Sequence, residues 1–236
     1  MTINPVRHLS IFSPEKFGQR RIDIIGVGAS GSHVALLVAK LGVKNLHIWD
    51  FDHVEDHNLA NQMYGPDDVG KPKVDACADL IKYQTGLVVT KHNQKLEAGH
   101  KDLGEIVFLL VDSMKARTEI AEKCINMNFK TKLMIETRMG EETGMIYTVD
   151  MMNGMDYKSW KTTLYADEEA APSACGAATT IGSTAMMVAS YATWQMLNWI
   201  RNDKIETNEI IFSTRPPMID AHSFFEKQKE EKAAAA

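Results

Sequence analysis

The run Gly26-Val27-Gly28-Ala29-Ser30-Gly31 is a GxGxxG pattern between an apolar segment and an amphipathic one. Glycines there let the backbone turn tightly and approach a phosphate. The start of the following helix offers unpaired N–H donors and a positive dipole end. Asp50 closes the next apolar run about 20 residues later, where a carboxylate can accept hydrogen bonds from ribose hydroxyls. These features predict a bound nucleotide, with NAD and ATP both open. The next stretch separates them. It runs through Asp52, Asn58, Asn61 and Gln62, then VGKPKV with Lys71 and Lys73. Amides and an ammonium can grip β and γ phosphates, whereas a hydride-transferring oxidoreductase has no special use for them. Asp112, after the apolar IVFLLV, stands where open α/β sheets bind ligands; its competing role is to cap the helix after Ser113.

The elements that position these residues follow from periodicity. Arg21 to Val27, Leu46 to Asp50, Leu87 to His92 and Ile106 to Val111 read as strands. Helical patterns cover Ser30 to Leu41, Pro72 to Tyr83 and Lys115 to Met127. This alternation is the mark of βαβ units and a parallel sheet. Lys132 to Ile135 and Met145 to Met151 predict strands joined by GEETG, where antiparallel pairing fits. Met152 to Ser173 has no clear period and reads as a long, functional loop. Ala177 to Ile200 reads as a long helix with Trp194, Leu197 and Ile200 on one apolar face, as core or dimer contact, and Glu209 to Ser213 as a last strand. The expected fold is α/β, a Rossmann-like doubly wound, mostly parallel sheet extended by antiparallel strands. Residues 1–222 are expected to form one domain and 223–236 a polar, frayed tail.

Composition narrows the partners. The 236 residues carry a net charge of -5, so a nucleic-acid polymer is not the expected ligand. The three cysteines, Cys77, Cys124 and Cys175, have no CxxC spacing, and the histidines form no metal-ligand pattern. No zinc is expected, and a reducing cytoplasmic compartment fits. The N-terminus lacks a signal-peptide core. Ala171 to Ile200 is uncharged but studded with polar residues, so a buried helix is expected rather than a membrane span.

At this point the chain resembles the ThiF/MoeB adenylyltransferases, the bacterial relatives of ubiquitin-activating enzymes. The family order is GxGGxG, DxDxVxxxNLxRQ, VGxPKV, then a strand ending in Asp before a helix. This chain has GVGASG, DFDHVEDHNLANQ, VGKPKV and VDSMKAR in that order, with an upstream Arg7-His8-Leu9 like the family's RHL. The resemblance covers roughly Arg7 to Ile200. It implies ATP and Mg2+, and a carboxylate attacking the α-phosphorus to give an acyl-adenylate and pyrophosphate. The usual carboxylate is the C-terminal glycine of a ubiquitin-like or sulfur-carrier protein. Carried over, Asp50 would hold the ribose, Lys73 the phosphates, and Asn58 and Gln62 the ATP pocket. Gly26, Gly28, Ala29, Gly31 and Asp52 would complete that pocket, and Asp112 would hold magnesium or orient the α-phosphate. Arg7 would act across a homodimer interface.

Three departures stand out. The family arginine of NLxRQ is Asn61, Ala29 replaces a glycine, and the zinc cysteines are missing. Asn61 removes a charge, so either Arg7 or Lys71 compensates, or catalysis is slow or absent and the chain is a binding scaffold. Arg138 resembles the arginine of a family IRMEGQ segment, and Arg117 reads as a helix-surface residue or a neighbour of the nucleotide. Cys175 stands where the sulfur-carrier branch has a cysteine, ahead of a helix whose N-terminus would lower its pKa for an acyl link. Cys77 and Cys124 read as core.

Overall fold

The computed structural model describes residues 3–126, 128–166, 180–202, 204–224 and 226. After the one-turn helix α1 (Pro14–Phe17), the chain alternates β1 (Ile22–Ile25), α2 (Ala29–Lys40), β2 (Leu46–Trp49) and α3 (Lys73–Thr85). It continues through β3 (Thr90–His92), β4 (Ile106–Leu109), α4 (Met114–Ile120), β5 (Leu133–Met139) and β6 (Thr143–Asp150). Then come α5 (Gly154–Lys161), α6 (Gly182–Asn202), β7 (Glu209–Thr214) and β8 (Pro217–His222). The strand order is β3-β2-β1-β4-β5-β6-β7-β8. Pairs from β3 to β5 are parallel, and those from β5 to β8 are antiparallel. The expected fold class is therefore the observed one. The chain leaves β1 toward β2 and returns to β4 on its other side, so the topological switch lies between β1 and β4. Ligands bind at the carboxyl ends of strands at such a switch.

Alternate residues of the central strands β1, β2, β4, β5 and β6 feed two cores. Ile106 and Phe108 face α2, α3 and α6, whereas Val107 and Leu109 face α4, α5 and Trp160. Continuous apolar runs such as IVFL are what a strand covered on both sides requires. Cys77 and Cys124 are buried, as expected, and burial pushes the Cys77 thiol up to about 12.

Four expectations need correction. The stretch from Met152 is not all loop: α5 forms there, with the Asn153 side chain accepting the Met155 N–H and Tyr157 and Trp160 packed inward. Its turn of buried aromatics is too short to show a period. The hairpin partner β8 was not expected, because its residues are largely exposed on both faces and so do not alternate. The helix face expected as core or dimer contact needs no correction: Leu197 and Ile200 are buried and Trp194 is 46% exposed. Arg117 is buried, not on a helix surface. Phe224, next to the boundary expected for the tail, packs in the second core and donates its N–H to Asn208. No helix among the described residues is long and apolar enough to cross a membrane.

At the β3 edge, His47 Nδ1 and His92 Nε2 lie 3.1 Å apart, and Trp49 stacks on His92. Burial lowers the pKa of His33, His47 and His92. Below the ordinary histidine value of about 6.5, the unfolded chain takes up protons that these folded rings resist. Stability should therefore be lost as pH falls from that value through the depressed folded ones. Thermal unfolding is expected to show a lower midpoint at about pH 5.5 than at about pH 7.5; an unchanged or higher midpoint would remove these histidines as acid-sensitive groups.

Candidate functional site

The glycine turn follows β1 directly. Gly26 has φ +92°, and a Cβ there would come within 2.7 Å of the Leu110 carbonyl oxygen. A Cβ on Gly31 would lie 2.0 Å from the Gly26 carbonyl oxygen. Both positions demand glycine, one for its torsion and one for close helix–strand packing. Gly28, the cap of α2, has no neighbour within 4 Å of its missing Cβ. It leaves an open face above the helix N-terminus, as phosphate approach requires. Ala29 begins the helix, so its methyl group is not in the turn.

Asp50 directly follows β2 and braces this turn. It accepts N–H bonds from Val27 and Asp52, both at 2.9 Å. Burial raises its carboxyl pKa, opposed by those two N–H bonds and by the Lys73 charge. Lys73, buried at the start of α3, sends its ammonium to 3.2 Å from Asp52. Its backbone N–H also bonds the Asp52 carbonyl at 2.8 Å. Asp50, Asp52 and Lys73 therefore form one charged group beside the glycine turn.

The loop after β2 is stitched over the start of α2. Tyr64 donates its hydroxyl to the Val27 carbonyl at 2.5 Å, and the Met63 N–H bonds Ser32 Oγ at 3.2 Å. His33 Nε2 meets the Asn61 carbonyl at 3.3 Å. Asn58 is buried, its Oδ1 accepting the Glu55 N–H at 3.0 Å. Asn61 donates its amide to Thr180 Oγ1. Asn61 Oδ1 and Gln62 Oε1 are buried and have no hydrogen-bond partner among the described residues, which leaves two acceptors open to a donor.

Asp112 lies beyond β4, on the other side of the switch, and is exposed. The helix cap belongs to Ser113, whose Oγ accepts the Ala116 N–H. The carboxylate is thus not engaged in capping. Arg7 is not brought to this group. Its neighbour His8 bonds the carbonyl of Leu41, the C-cap of α2, and a helix of 12 residues puts about 18 Å between that end and Gly28. Cys175 falls in 167–179, outside the described residues.

A charged cluster under the site was missed in the sequence reading. Glu136, fully buried on β5, pairs with Arg117 and takes two guanidinium nitrogens of Arg138. Trp160 Nε1 donates to it at 3.0 Å. Arg117 also donates to the carbonyls of Val111 and Thr137, joining the ends of β4 and β5. Burial, and then the Arg138 charge, pull the Arg117 guanidinium down to about 9. The visible signal was an acid and an arginine interrupting an apolar run, LMIETRM. Among the described residues no group of three or more His, Cys, Asp or Glu could hold a metal.

The chain is similar to several known proteins. Ubiquitin-like modifier-activating enzyme 5 of Caenorhabditis elegans is 27% identical over 143 residues, 54% of this chain and 33% of the relative. Adenylyltransferase and sulfurtransferase MOCS3 of Caenorhabditis briggsae is 32% identical over 112 residues, 44% of this chain and 28% of the relative. The chain thus spans about a third of the length of these curated relatives. E. coli MccB crystallised with ATP superposes with a TM-score of 0.66 at 14% identity, covering 89% of this chain and 65% of MccB. PaaA superposes with a TM-score of 0.66 at 20% identity, over 89% of this chain and 65% of PaaA. These two show the fold. The profile of the ThiF family matches residues 8–233, nearly the whole chain, and the chain belongs to that family.

Proposed function

We propose that the protein is an ATP-dependent adenylyltransferase that activates the C-terminal carboxylate of a ubiquitin-like or sulfur-carrier protein. The observation that carries this reading is the convergence at the switch point. The open Gly28 turn follows β1, the Asp50–Asp52–Lys73 group and the amides of Asn61 and Gln62 follow β2, and the exposed Asp112 carboxylate follows β4.

In this reading Asp50 accepts the ribose hydroxyls, and Lys73 turns from Asp52 toward the phosphates. Asn58 keeps the loop in shape, and the amides of Asn61 and Gln62 line the pocket. The incoming carboxylate oxygen bonds to the α-phosphorus as the bond to the β-phosphate oxygen breaks, releasing pyrophosphate. Such a step depends on positioning and on neutralising a crowded anion. Asp112 fits magnesium, a hard cation usually held by one or two carboxylates and the substrate phosphates. When bound there, the ion would offset charge on the phosphates.

Arg7 is too far from Gly28 to serve its own site, so its use requires a homodimer in which a second copy supplies it. Residues 1–222 would form the adenylation domain. Cys175 would take the acyl group afterwards, in a reducing cytoplasmic setting.

ATP–pyrophosphate exchange with magnesium, with and without carriers ending in Gly-Gly, tests the reading. Carrier-dependent exchange is expected. Exchange with a small-molecule or peptide carboxylate instead would keep the adenylation and change the substrate; MccB, for comparison, has been crystallised with MccA. One observation favours a second reading, a weak or inactive binding scaffold: Asn61 offers no charge and is tied to Thr180. If that scaffold reading holds, Asn61→Arg should raise exchange by about tenfold to a hundredfold. No gain in the variant would dispose of it.

A further inference from the structure

Thr137 is the one polar side chain that β5 sends toward the first core. Its neighbours on that face, Leu133, Ile135 and Met139, are apolar and pack there. Valine has nearly the same shape, so packing does not call for the hydroxyl, and a buried hydroxyl needs a partner. It finds one across 107 residues. Thr137 Oγ1 donates to Ser30 Oγ at 3.3 Å, in the first turn of α2, and both side chains are buried. The carbonyl of the same residue accepts Arg117 Nη1 at 3.0 Å, from α4, which packs on the second core. Arg117 Nη2 donates in turn to the carbonyl of Val111, the residue before Asp112.

Thr137 thus joins two groups from opposite layers of the molecule. One is the start of α2, whose unpaired N–H groups stand above the open Gly28 face. The other is the loop that carries Asp112. The β1–β4 ladder sets the strands themselves, with the Leu110 N–H on the Ile25 carbonyl at 2.8 Å. Both α2 and the Asp112 loop lie beyond that bond. Hydroxyl pairs usually stand about 2.8 Å apart. At 3.3 Å the Thr137–Ser30 contact is slack, with room to tighten when a ligand draws the two groups together.

We infer that Thr137 is a positioning residue for magnesium-bound ATP: its hydroxyl and carbonyl hold the start of α2 and the Asp112 loop in mutual register. This rests on the proposed nucleotide and magnesium sites and deepens them. A ligand that uses one of the two groups gains little from the contact. A ligand that spans both, as phosphates with a bound metal do, gains from it.

Calorimetric titration of the full chain with ATP plus magnesium, ATP plus a chelator, and adenosine tests this, because binding is read independently of turnover. The ratio of the two ATP affinities measures the coupling between metal and nucleotide. Thr137→Val is expected to reduce that ratio about fivefold and to leave adenosine and magnesium-free ATP unchanged. Thr137→Ser, which keeps the hydroxyl, is expected to retain the wild-type ratio. Ser30→Ala should match Thr137→Val, and the double variant should lose no more, since both remove one contact. Should Thr137→Val fail to fold, Ser30→Ala reads the same contact. A wild-type ratio in both single variants, or failure of Thr137→Ser to keep it, overturns the inference alone. Equal loss of adenosine would make the role structural and overturn it too. A wild-type chain that binds ATP with no gain from magnesium refutes the metal role of Asp112 together with this inference. One that binds no ATP refutes the proposed function as well.

Discussion

Replacing Asp112 with alanine is expected to lower ATP–pyrophosphate exchange by about a hundredfold or more, with the fold intact. The two halves of this expectation have separate grounds. The stability half follows from exposure and from the cap. Asp112 is exposed, and Ser113 performs the capping that a carboxylate at this point could have performed. Substitutions at such surface positions usually change stability by no more than about 0.5 kcal/mol. The activity half follows from location. Asp112 stands across the β1/β4 switch from the glycine turn, on a loop whose Val111 carbonyl is held by Arg117. A carboxylate there, with no side-chain hydrogen bond to another described residue, is available to magnesium or to the α-phosphate. Asp112→Asn should fall nearly as far, because an amide lacks the charge a hard cation requires. Exchange rates across a magnesium titration, beside thermal unfolding, check both halves. Exchange within a few-fold of wild type in Asp112→Ala would refute the metal and phosphate role. A large fall in melting temperature would show a structural one instead.

The parts of the molecule that were readable from sequence are those in which chemistry and periodicity coincide. Gly26 and Gly31 announce a turn because no other residue fits their torsion or contact. IVFL announces a strand covered on both faces, and Asp50 closes its strand at the point where the turn needs a brace. The readings that failed depended on partners distant in sequence. Arg117 has the spacing of an ordinary helix residue; only β5, folded beside α4, turns it into a buried ion-pair partner. β8 carries no alternating pattern because neither of its faces is buried, and its register comes wholly from β7. Asn153 caps α5 in a stretch rich in charge, where one helix turn buries only Tyr157 and Trp160. Asn61 was legible as a departure from a family pattern, but its bond to Thr180 spans 119 residues. No local signal could have given it.

Glu136→Gln is expected to destabilise the protein by about 3–5 kcal/mol, the usual effect of removing one partner from a buried ion pair. Glu136 is fully buried and lies between two guanidiniums, with Trp160 donating to the same carboxylate. Among the described residues Glu136 is the one carboxylate in direct ion-pair contact with either guanidinium. Glutamine keeps the shape but removes the carboxylate that pairs directly with both guanidiniums, leaving only the more distant charges of Asp112 and Glu209 to favour them. Burial lowers the pKa of both arginines, which marks how little solvation they retain. For a domain of this size the change corresponds to a fall in melting temperature of roughly 10 °C. Trp160→Phe, which removes a neutral donor but keeps the ion pairs, should destabilise by only about 1 kcal/mol. The consequence reaches the site, because Arg117 joins the Val111 and Thr137 carbonyls and Arg138 holds Thr163. Loosening them should weaken the alignment of Asp112, so exchange by Glu136→Gln should fall even at a temperature where the protein stays folded. Denaturant unfolding of the two variants beside wild type decides the matter. A Glu136→Gln protein as stable as wild type would mean that water, rather than the carboxylate, solvates these guanidiniums.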